Sequence, residues 1–280
     1  MQGQPAGTVY VALGDSISID EYAGGPGRGG ASLLHRNRDD DFPHWRGRDL
    51  VSLDPGARFH LLATDGATTR TLADVQLDRL AALPRPTLVT ITIGGNDLLS
   101  AYGDTVAARQ VVSYVRTSVA RALDRITAAL APGGRVVVGT VYDPSDGTGD
   151  AARLGLPPWP DAVAVIAELN EALREVAVAG GAAVAEVAQR FSGHGLLAGD
   201  ATRPDARGHD HRPEAAHLVL SQCAAPAFFR CSVWLMTSTS RPPTTSPSSA
   251  LAAVSTSHFT TPPIAPVASL AASSRWCTAS

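Results

Sequence analysis

Three short segments of small polar residues contain the groups best suited to chemistry in this chain. They are Gly-Asp-Ser at residues 14–16, Asp-Gly-Ala-Thr at residues 65–68 and Gly-Gly-Asn-Asp at residues 94–97. A serine hydroxyl attacks a carbonyl carbon when a base takes its proton, which makes Ser16 a candidate nucleophile. Each segment also fits a purely structural role as a turn that ends a strand and caps the next helix, since Asp, Ser and Asn favour such positions.

These segments follow short apolar runs that are typical of strands buried on both faces of a parallel sheet. The runs are residues 8–13, 59–63, 87–93, 135–141 and 182–187, and helical patterns cover residues 71–83, 106–130 and 161–179. Alternating strands and helices predict an α/β fold with a mostly parallel five-stranded sheet and helices on both faces. Ligands of such sheets bind at the carboxyl ends of the strands. We therefore expect the three segments, and Tyr-Asp-Pro-Ser at residues 142–145, along one edge of the sheet.

The segment between the first two predicted strands, residues 20–50, contains a long Gly- and Arg-rich insertion. We expect it to lie over the carboxyl edge of the sheet rather than to form core. Residues 25–30 fit the G-x-G-x-x-G spacing but do not directly follow a strand, which favours a flexible loop over a phosphate cradle. Three consecutive carboxylates at residues 39–41 lack the spacing of a metal-coordinating loop and are interpreted as solvated surface. His35, His44 and Trp45 fit either a pocket wall or a cover for the sheet edge.

The composition argues against several classes of protein. The chain of 280 residues has a net charge of −3, whereas nucleic-acid and anionic-membrane surfaces need clustered positive charge. It has no apolar run near the ~20 residues that span a bilayer, and residues 1–8 lack the basic and apolar regions of a signal peptide. An odd number of cysteines, all late in the chain (Cys223, Cys231 and Cys277), does not make a disulfide framework. We predict a soluble, cytoplasmic protein without a nucleic-acid or membrane partner.

The chain changes character near Leu218. No Asp or Glu follows Glu214, and Ser, Thr, Pro and Ala dominate residues 237–280. Segments with so little periodic apolar surface are typically disordered. We predict a domain over residues 1–217 and a disordered low-complexity tail over residues 218–280. An alternative interpretation is that the tail is out of frame with the ancestral gene, because a shifted frame in GC-rich DNA tends to lose acidic residues and to gain Ser, Thr, Pro and Cys.

Taken in order, the motifs resemble those of the SGNH (GDSL-type) hydrolases. Val-Ala-Leu-Gly-Asp-Ser-Ile-Ser at residues 11–18 matches their first block, Asp-Gly-Ala-Thr-Thr-Arg-Thr-Leu at residues 65–72 the second and Ile-Gly-Gly-Asn-Asp at residues 93–97 the third. The resemblance spans roughly residues 9–212. It implies a flavodoxin-like three-layer α/β/α sandwich and an enzyme that hydrolyses a small-molecule ester without a metal or other cofactor.

The resemblance also implies a role for each motif. Ser16 would be the nucleophile, and the backbone N–H groups of Ser16 and Gly66, with the side-chain amide of Asn96, would form the oxyanion hole. These residue types suit the chemistry, because glycine has no Cβ to block the approach of a substrate and an amide supplies a neutral N–H that a carboxylate lacks. Donors fixed in advance around an oxyanion each contribute about 2.7–4 kcal/mol to transition-state stabilisation.

The fourth block, which is Asp-x-x-His-Pro in this family, departs from the pattern. Its nearest match begins at Asp200, but Arg203 occupies the histidine position, and arginine cannot act as a base at neutral pH. We assign the general base to His211 and its acidic partner to Asp200. Other candidates for the base are His194, His209 and His217.

Two other function classes stand beside a hydrolase of an ester or acetyl group. Arg203 and the unusual tail favour a pseudo-enzyme or small-ligand binding module, which keeps the pocket and oxyanion donors without a competent base. A doubly wound nucleotide-binding protein is disfavoured, because residues 15–18 are Asp-Ser-Ile-Ser rather than phosphate-cradling glycines. The leading prediction is a serine hydrolase that forms an acyl-enzyme at Ser16.

Overall fold

A five-stranded parallel sheet forms the centre of the protein. The computed structural model describes residues 7–21, 23, 25–152 and 155–192. The strands are β1 (Val9–Gly14), β2 (Arg58–Leu61), β3 (Leu88–Thr92), β4 (Arg135–Gly139) and β5 (Ala183–Ala185). Every neighbouring pair is parallel, and the order across the sheet is β2-β1-β3-β4-β5. The predicted parallel sheet is confirmed, with strand ends shifted by at most two residues.

Eight α-helices connect or flank the described strands. They are α1 (Gly30–His35), α2 (Leu50–Leu53), α3 (Thr69–Thr71), α4 (Leu77–Ala81), α5 (Gly95–Leu99), α6 (Thr105–Ala129), α7 (Ala162–Ala179) and α8 (Val187–Phe191). The two long predicted helices, α6 and α7, are confirmed. The helix expected at residues 71–83 begins two residues earlier and consists of α3, a π-helical segment (Leu72–Gln76) and α4.

The helices cover both faces of the sheet, as the alternation of side chains along β1 shows. Val11 and Leu13 pack on the face covered by α4, α6 and α7, whereas Tyr10 and Ala12 pack on the face covered by α1, α2 and α8. Successive side chains of a strand point to opposite faces, so a strand covered on both sides is apolar throughout. The flavodoxin-like three-layer sandwich is therefore confirmed.

The insertion after β1 contributes to the core, which corrects the expectation that it only overlies the sheet edge. Ala31, Leu33 and Leu34 of α1 are at most 2% exposed and belong to the same apolar cluster as Tyr10. The contribution of this short apolar group was not predicted, because the surrounding sequence is rich in Gly and Arg. His35 stacks on Phe59 with ring centroids 5.1 Å apart and so covers the sheet edge.

The polar part of the insertion is held by its own carboxylates. Asp20 accepts hydrogen bonds from the backbone N–H groups of Gly27 and Gly29, at 2.9 and 2.7 Å. The N–H groups that would face a phosphate in a glycine-rich cradle are thus occupied by an anion of the chain itself. Asp41 forms ion pairs with Arg28 and Arg38, consistent with the surface role expected of residues 39–41.

Several predictions concern parts of the chain that the structure does not describe. The boundary near Leu218, the tail over residues 218–280 and the fourth motif block all lie outside the described residues. Within the described ranges, no helix combines the length and apolar character needed to cross a membrane. The same ranges contain no group of three or more His, Cys, Asp or Glu side chains placed to hold a metal ion.

Candidate active site

The first and third motifs lie at the point where the strand order of the sheet reverses. Ser16 follows β1 and Asn96 follows β3, and these two strands are neighbours, with Gly14 opposite Thr92 in the register. Because β2 lies on the other side of β1, connections leave this point in opposite directions, which opens a crevice at the carboxyl ends of the strands. The fold brings the candidate nucleophile and the candidate amide donor to this crevice.

The turn that carries Ser16 is fixed to the end of β3. The Asp15 N–H donates to the carbonyl of Thr92 at 2.8 Å, and the Ser18 hydroxyl shares a 2.9 Å hydrogen bond with the Thr92 hydroxyl. Gly14 has a φ of +115°, and a Cβ there would lie 1.9 Å from the Thr92 carbonyl oxygen. Only glycine fits this close crossing. Ser16 itself is half-buried, and it lies between Asp15 and Ser18, which are both hydrogen-bonded to Thr92.

Asp15 is a buried carboxyl group beside the candidate nucleophile. Burial raises the pKa of Asp15 to about 7, hydrogen bonds from Thr92 and from the Ile17 N–H partly offset that rise, and nearby Asp97 adds to it. The Asp15 carboxylate accepts from the Ile17 N–H at 3.2 Å, so its position is determined by the turn. Asp15 therefore orders the backbone around Ser16 and changes charge near neutral pH.

The second and third motifs are bonded to each other. The side-chain amide of Asn96 donates to the carbonyl of Ala67 at 3.0 Å, and Ala67 directly follows Gly66. An amide nitrogen carries two N–H donors, so this bond orients the group while using one of them. Gly66 is exposed, has a φ of +64° and has open space where a Cβ would be. The two candidate donors thus lie on loops that are joined by a direct hydrogen bond.

Asp97 and Gln76 support these loops, and neither was identified from the sequence as a site residue. Asp97 is buried and accepts from Thr69, at the start of α3. Gln76 is fully buried and bonds to both backbone groups of Gly14. A signal for Gln76 was present, because it lies between Leu72 and Leu80 at four-residue spacing, which puts an amide on the apolar side of a helix.

The predicted base and its acidic partner are not among the groups that the structure places. Asp200 and His211 lie outside the described residues, as do His194, His209, His217 and Arg203. Of the histidines whose side chains are described, His35 lies at a sheet edge against Phe59, and His60 lies on the edge strand β2. The described residues therefore include the candidate nucleophile and donors, whereas the predicted base and its acidic partner lie outside them.

A separate cavity of about 530 Å³ opens between α7, α8 and the loop after β4. Its wall includes Arg174 and Glu186, which form an ion pair at 2.8 Å. None of Ser16, Gly66 and Asn96 lines it. The cavity is therefore distinct from the crevice at the strand ends.

Comparison with solved structures supports the same fold. The chain matches an α/β hydrolase from the metagenome of Lake Arreo, Spain, at 21% identity and a TM-score of 0.52, covering 82% of this chain and 97% of the other. It matches an acetylxylan esterase from Geobacillus stearothermophilus at 17% identity and a TM-score of 0.53, covering 80% and 94%. A comparison with functionally curated proteins found no significant match.

Comparison with protein families covers most of the chain. A sequence profile described as the GDSL-like Lipase/Acylhydrolase family matches residues 12–212. The match includes all three motifs at the strand ends and extends across the fourth block. The chain belongs to the GDSL-like lipase/acylhydrolase family and is a hydrolase of esters.

Proposed function

We propose that the protein hydrolyses small acyl esters through a covalent acyl-enzyme on Ser16. The Ser16 oxygen attacks the ester carbonyl carbon while its proton passes to a base. The tetrahedral intermediate collapses, the bond to the alcohol breaks, and the alcohol leaves with the proton from the base. Water then attacks the acyl group, its proton passes to the base, and the carboxylic acid is released as Ser16 regains its proton.

The observation that carries this proposal is the joining of the Asn96 and Gly66 loops beside the Ser16 turn. The Asn96–Ala67 hydrogen bond holds the two donor loops together, and the Asp15–Thr92 bond ties the nucleophile turn to the strand that precedes Asn96. The backbone N–H groups of Ser16 and Gly66 and the second N–H of Asn96 would receive the oxyanion. Donors held before the reaction need no reorganisation when the charge appears, which is why they stabilise the transition state strongly.

The general base in this proposal is His211, with Asp200 as its acidic partner. Both residues lie within the segment that matches the family profile. Structures of the Geobacillus esterase include catalytic mutants in which an aspartate or a histidine is replaced by alanine. In this chain the histidine would take the Ser16 proton and the aspartate would orient the histidine, as in other serine hydrolases.

Labelling of Ser16 tests the proposal directly. The full chain is incubated with a fluorophosphonate, and turnover of p-nitrophenyl acetate is measured for wild type, Ser16→Ala and the control Ser113→Ala, whose serine lies exposed on α6. We expect labelling at Ser16 alone, loss of nearly all turnover in Ser16→Ala and unchanged turnover in the control. Labelling at another serine, or activity in Ser16→Ala, would refute the proposal.

The base is tested by a second pair of variants. If His211 takes the proton, His211→Ala loses turnover by a factor of about 10² or more, and Arg203→His leaves it unchanged. The opposite pattern, a gain in Arg203→His with no loss in His211→Ala, would identify the chain as a relative impaired by the arginine. Labelling of Ser16 separates this result from a failure of the nucleophile.

A further inference from the structure

The buried amide of Gln76 bonds to both backbone groups of the residue that ends β1. Its Oε1 accepts from the Gly14 N–H at 2.7 Å, and its Nε2 donates to the Gly14 carbonyl at 2.8 Å. Gln76 is fully buried. A primary amide in this arrangement reproduces the donor and acceptor of a neighbouring strand.

The reason for this arrangement is that β2 leaves β1 before β1 ends. The last register pair of the two strands is Ala12 with Leu61, and the N–H groups of Leu62 and Ala63 both donate to the Ala12 carbonyl. Beyond this pair the Gly14 carbonyl still accepts from the Thr64 N–H, whereas the Gly14 N–H donates to Gln76 instead of to the neighbouring chain. A buried backbone N–H without a partner is costly, and Gln76 supplies the acceptor for the Gly14 N–H while adding a second donor to the Gly14 carbonyl.

A π-helical turn places Gln76 at this position. The Leu77 N–H donates to the Leu72 carbonyl, an i→i+5 bond that widens the turn. Gln76 and Leu77 are both buried although they are consecutive, so the wider turn presents an amide to the strand end while Leu77 stays in the core. Such π-helical turns occur frequently at functional sites.

Gln76 also reaches the loop that carries Gly66. Its Nε2 lies 3.4 Å from the Thr64 hydroxyl, and the Thr64 N–H donates to the Gly14 carbonyl at 3.0 Å. The Thr64 carbonyl in turn accepts from Ala67 at 3.3 Å. One side chain therefore joins the strand end before Ser16 to the loop of the candidate donor Gly66.

We infer that Gln76 is a positioning residue for ester hydrolysis, which fixes the Ser16 turn and the Gly66 loop relative to each other through the backbone of Gly14. The inference rests on the proposed function, because Ser16 and Gly66 have catalytic roles only there. A displacement of about 1 Å at a reacting group can cost roughly 10²-fold in rate. Gln76 touches no reacting atom and acts only through the residues it holds.

The alternative is that Gln76 only stabilises the fold, since Asn170 makes the same pair of hydrogen bonds at another strand end. Asn170 accepts from the Val141 N–H at 2.6 Å and donates to the Val141 carbonyl at 2.8 Å, just beyond the end of β4. Buried amide side chains thus bond to the backbone N–H and carbonyl of one residue at two strand ends. A test must therefore separate loss of stability from loss of positioning.

The experiment compares Gln76→Met, Gln76→Glu and the matched control Tyr10→Phe in the full chain. Methionine has a similar shape but cannot form the two hydrogen bonds that the Gln76 side chain makes with Gly14. Tyr10 lies on β1 like Gly14, about 13 Å away at strand spacing. Tyr10→Phe removes a buried 2.9 Å hydrogen bond between the Tyr10 hydroxyl and the Thr90 hydroxyl of β3. Steady-state kinetics with p-nitrophenyl acetate, urea unfolding and fluorophosphonate labelling rates are measured for each.

We expect Gln76→Met to lose 10- to 100-fold in kcat and in the labelling rate of Ser16, with KM within about twofold of wild type. Tyr10→Phe loses stability but keeps kcat within about twofold. Gln76→Glu shows a pH-dependent rescue. A protonated glutamic acid can donate to the Gly14 carbonyl and accept from its N–H, so the ratio of its kcat to that of wild type rises as the pH falls from 8 to 5.

Each other outcome overturns the inference. If Gln76→Met and Tyr10→Phe keep the same kcat, or if the Gln76→Glu ratio does not change with pH, Gln76 is structural only. Should Gln76→Met fail to fold, the pH profile of Gln76→Glu decides. If wild type has no turnover that depends on Ser16, the proposed function fails and the inference fails with it, whereas a Ser16-dependent wild type with an unaffected Gln76→Met overturns the inference alone.

Discussion

The carboxylate of Asp97 receives both the backbone N–H and the hydroxyl of Thr69, at 2.9 and 2.6 Å. Thr69 begins α3, three residues after Gly66, and Asp97 directly follows Asn96 in α5. The bonds are buried and span 28 positions of sequence. They connect the residues that follow Gly66 to the residue that follows Asn96, and the Asn96–Ala67 hydrogen bond joins the same two loops directly.

The first prediction is that Asp97 and Thr69 are energetically coupled. Asp97→Ala should lower the free energy of unfolding by about 3 kcal/mol, because it leaves the Thr69 N–H buried without a partner. Thr69→Val should cost less, since it removes only the hydroxyl. Urea unfolding of the two single variants and the double variant measures the coupling, which we expect at about 1–2 kcal/mol. Additive losses would show that the two residues are stabilised by other contacts.

The second prediction concerns Asn96 as an oxyanion donor. Asn96→Ala should lower kcat by roughly 10²–10³ with little change in KM, because the donor acts on charge that appears only in the transition state. Asn96→Asp is the matched control for shape, and it should be equally impaired because a carboxylate has no N–H to donate. A change confined to KM would make Asn96 a residue that positions the substrate instead.

Most of the fold could be predicted from local pattern. Apolar runs separated by helical periodicity predict a parallel sheet, and the position of Ser16 and Asn96 after such runs predicts that they meet at its carboxyl edge. The positions of loops at strand ends can be predicted because the strands before them are clear apolar runs in the sequence. The bounds of α6 and α7 were predicted to within one residue for the same reason.

The contacts of Gln76 and Asp97 could not be predicted, because they depend on where neighbouring elements of the fold diverge or approach each other. Gln76 accepts from the Gly14 N–H because the pairing of β2 with β1 ends at Leu61, which no local pattern specifies. The π-helical turn has nearly the same sequence periodicity as an α-helix. Asp97 looked like part of a turn, and only the approach of Thr69 gives its carboxylate a structural role.

The third prediction uses two glycines to separate backbone strain from steric overlap. Gly14 has a φ of +115° and its Cβ would overlap the Thr92 carbonyl, whereas Gly133 has a φ of +78° and open space around it. Gly133→Ala should cost about 1–2 kcal/mol of unfolding free energy for the left-handed conformation alone. Gly14→Ala should exceed about 4 kcal/mol or prevent folding. Thermal unfolding compares them, and equal losses would contradict the close contact with β3.

The fourth prediction is a pH dependence of stability that originates at Asp15. Burial raises the pKa of Asp15 to about 7, well above the value near 3.8 of an unperturbed carboxyl, so the folded protein holds a proton that the unfolded chain releases. The stabilising contribution of this proton is complete below about pH 4 and is lost as the pH rises through 7. The shift corresponds to about 4 kcal/mol.

Asp15→Asn removes this dependence, because an amide stays neutral and keeps an oxygen to accept from the Ile17 N–H. The free energy of unfolding of wild type relative to Asp15→Asn should therefore fall as the pH is raised from 4.5 to 8.5, with most of the change below about pH 7. Urea unfolding across this range gives both curves. Tyr142 contributes no charge of its own there, since burial raises the pKa of its hydroxyl further above its usual value. A constant difference between the two proteins at every pH would show that Asp15 is ionised in the folded state throughout, and that the Ser16 turn solvates a buried carboxylate better than its hydrogen bonds to Thr92 and Ile17 indicate.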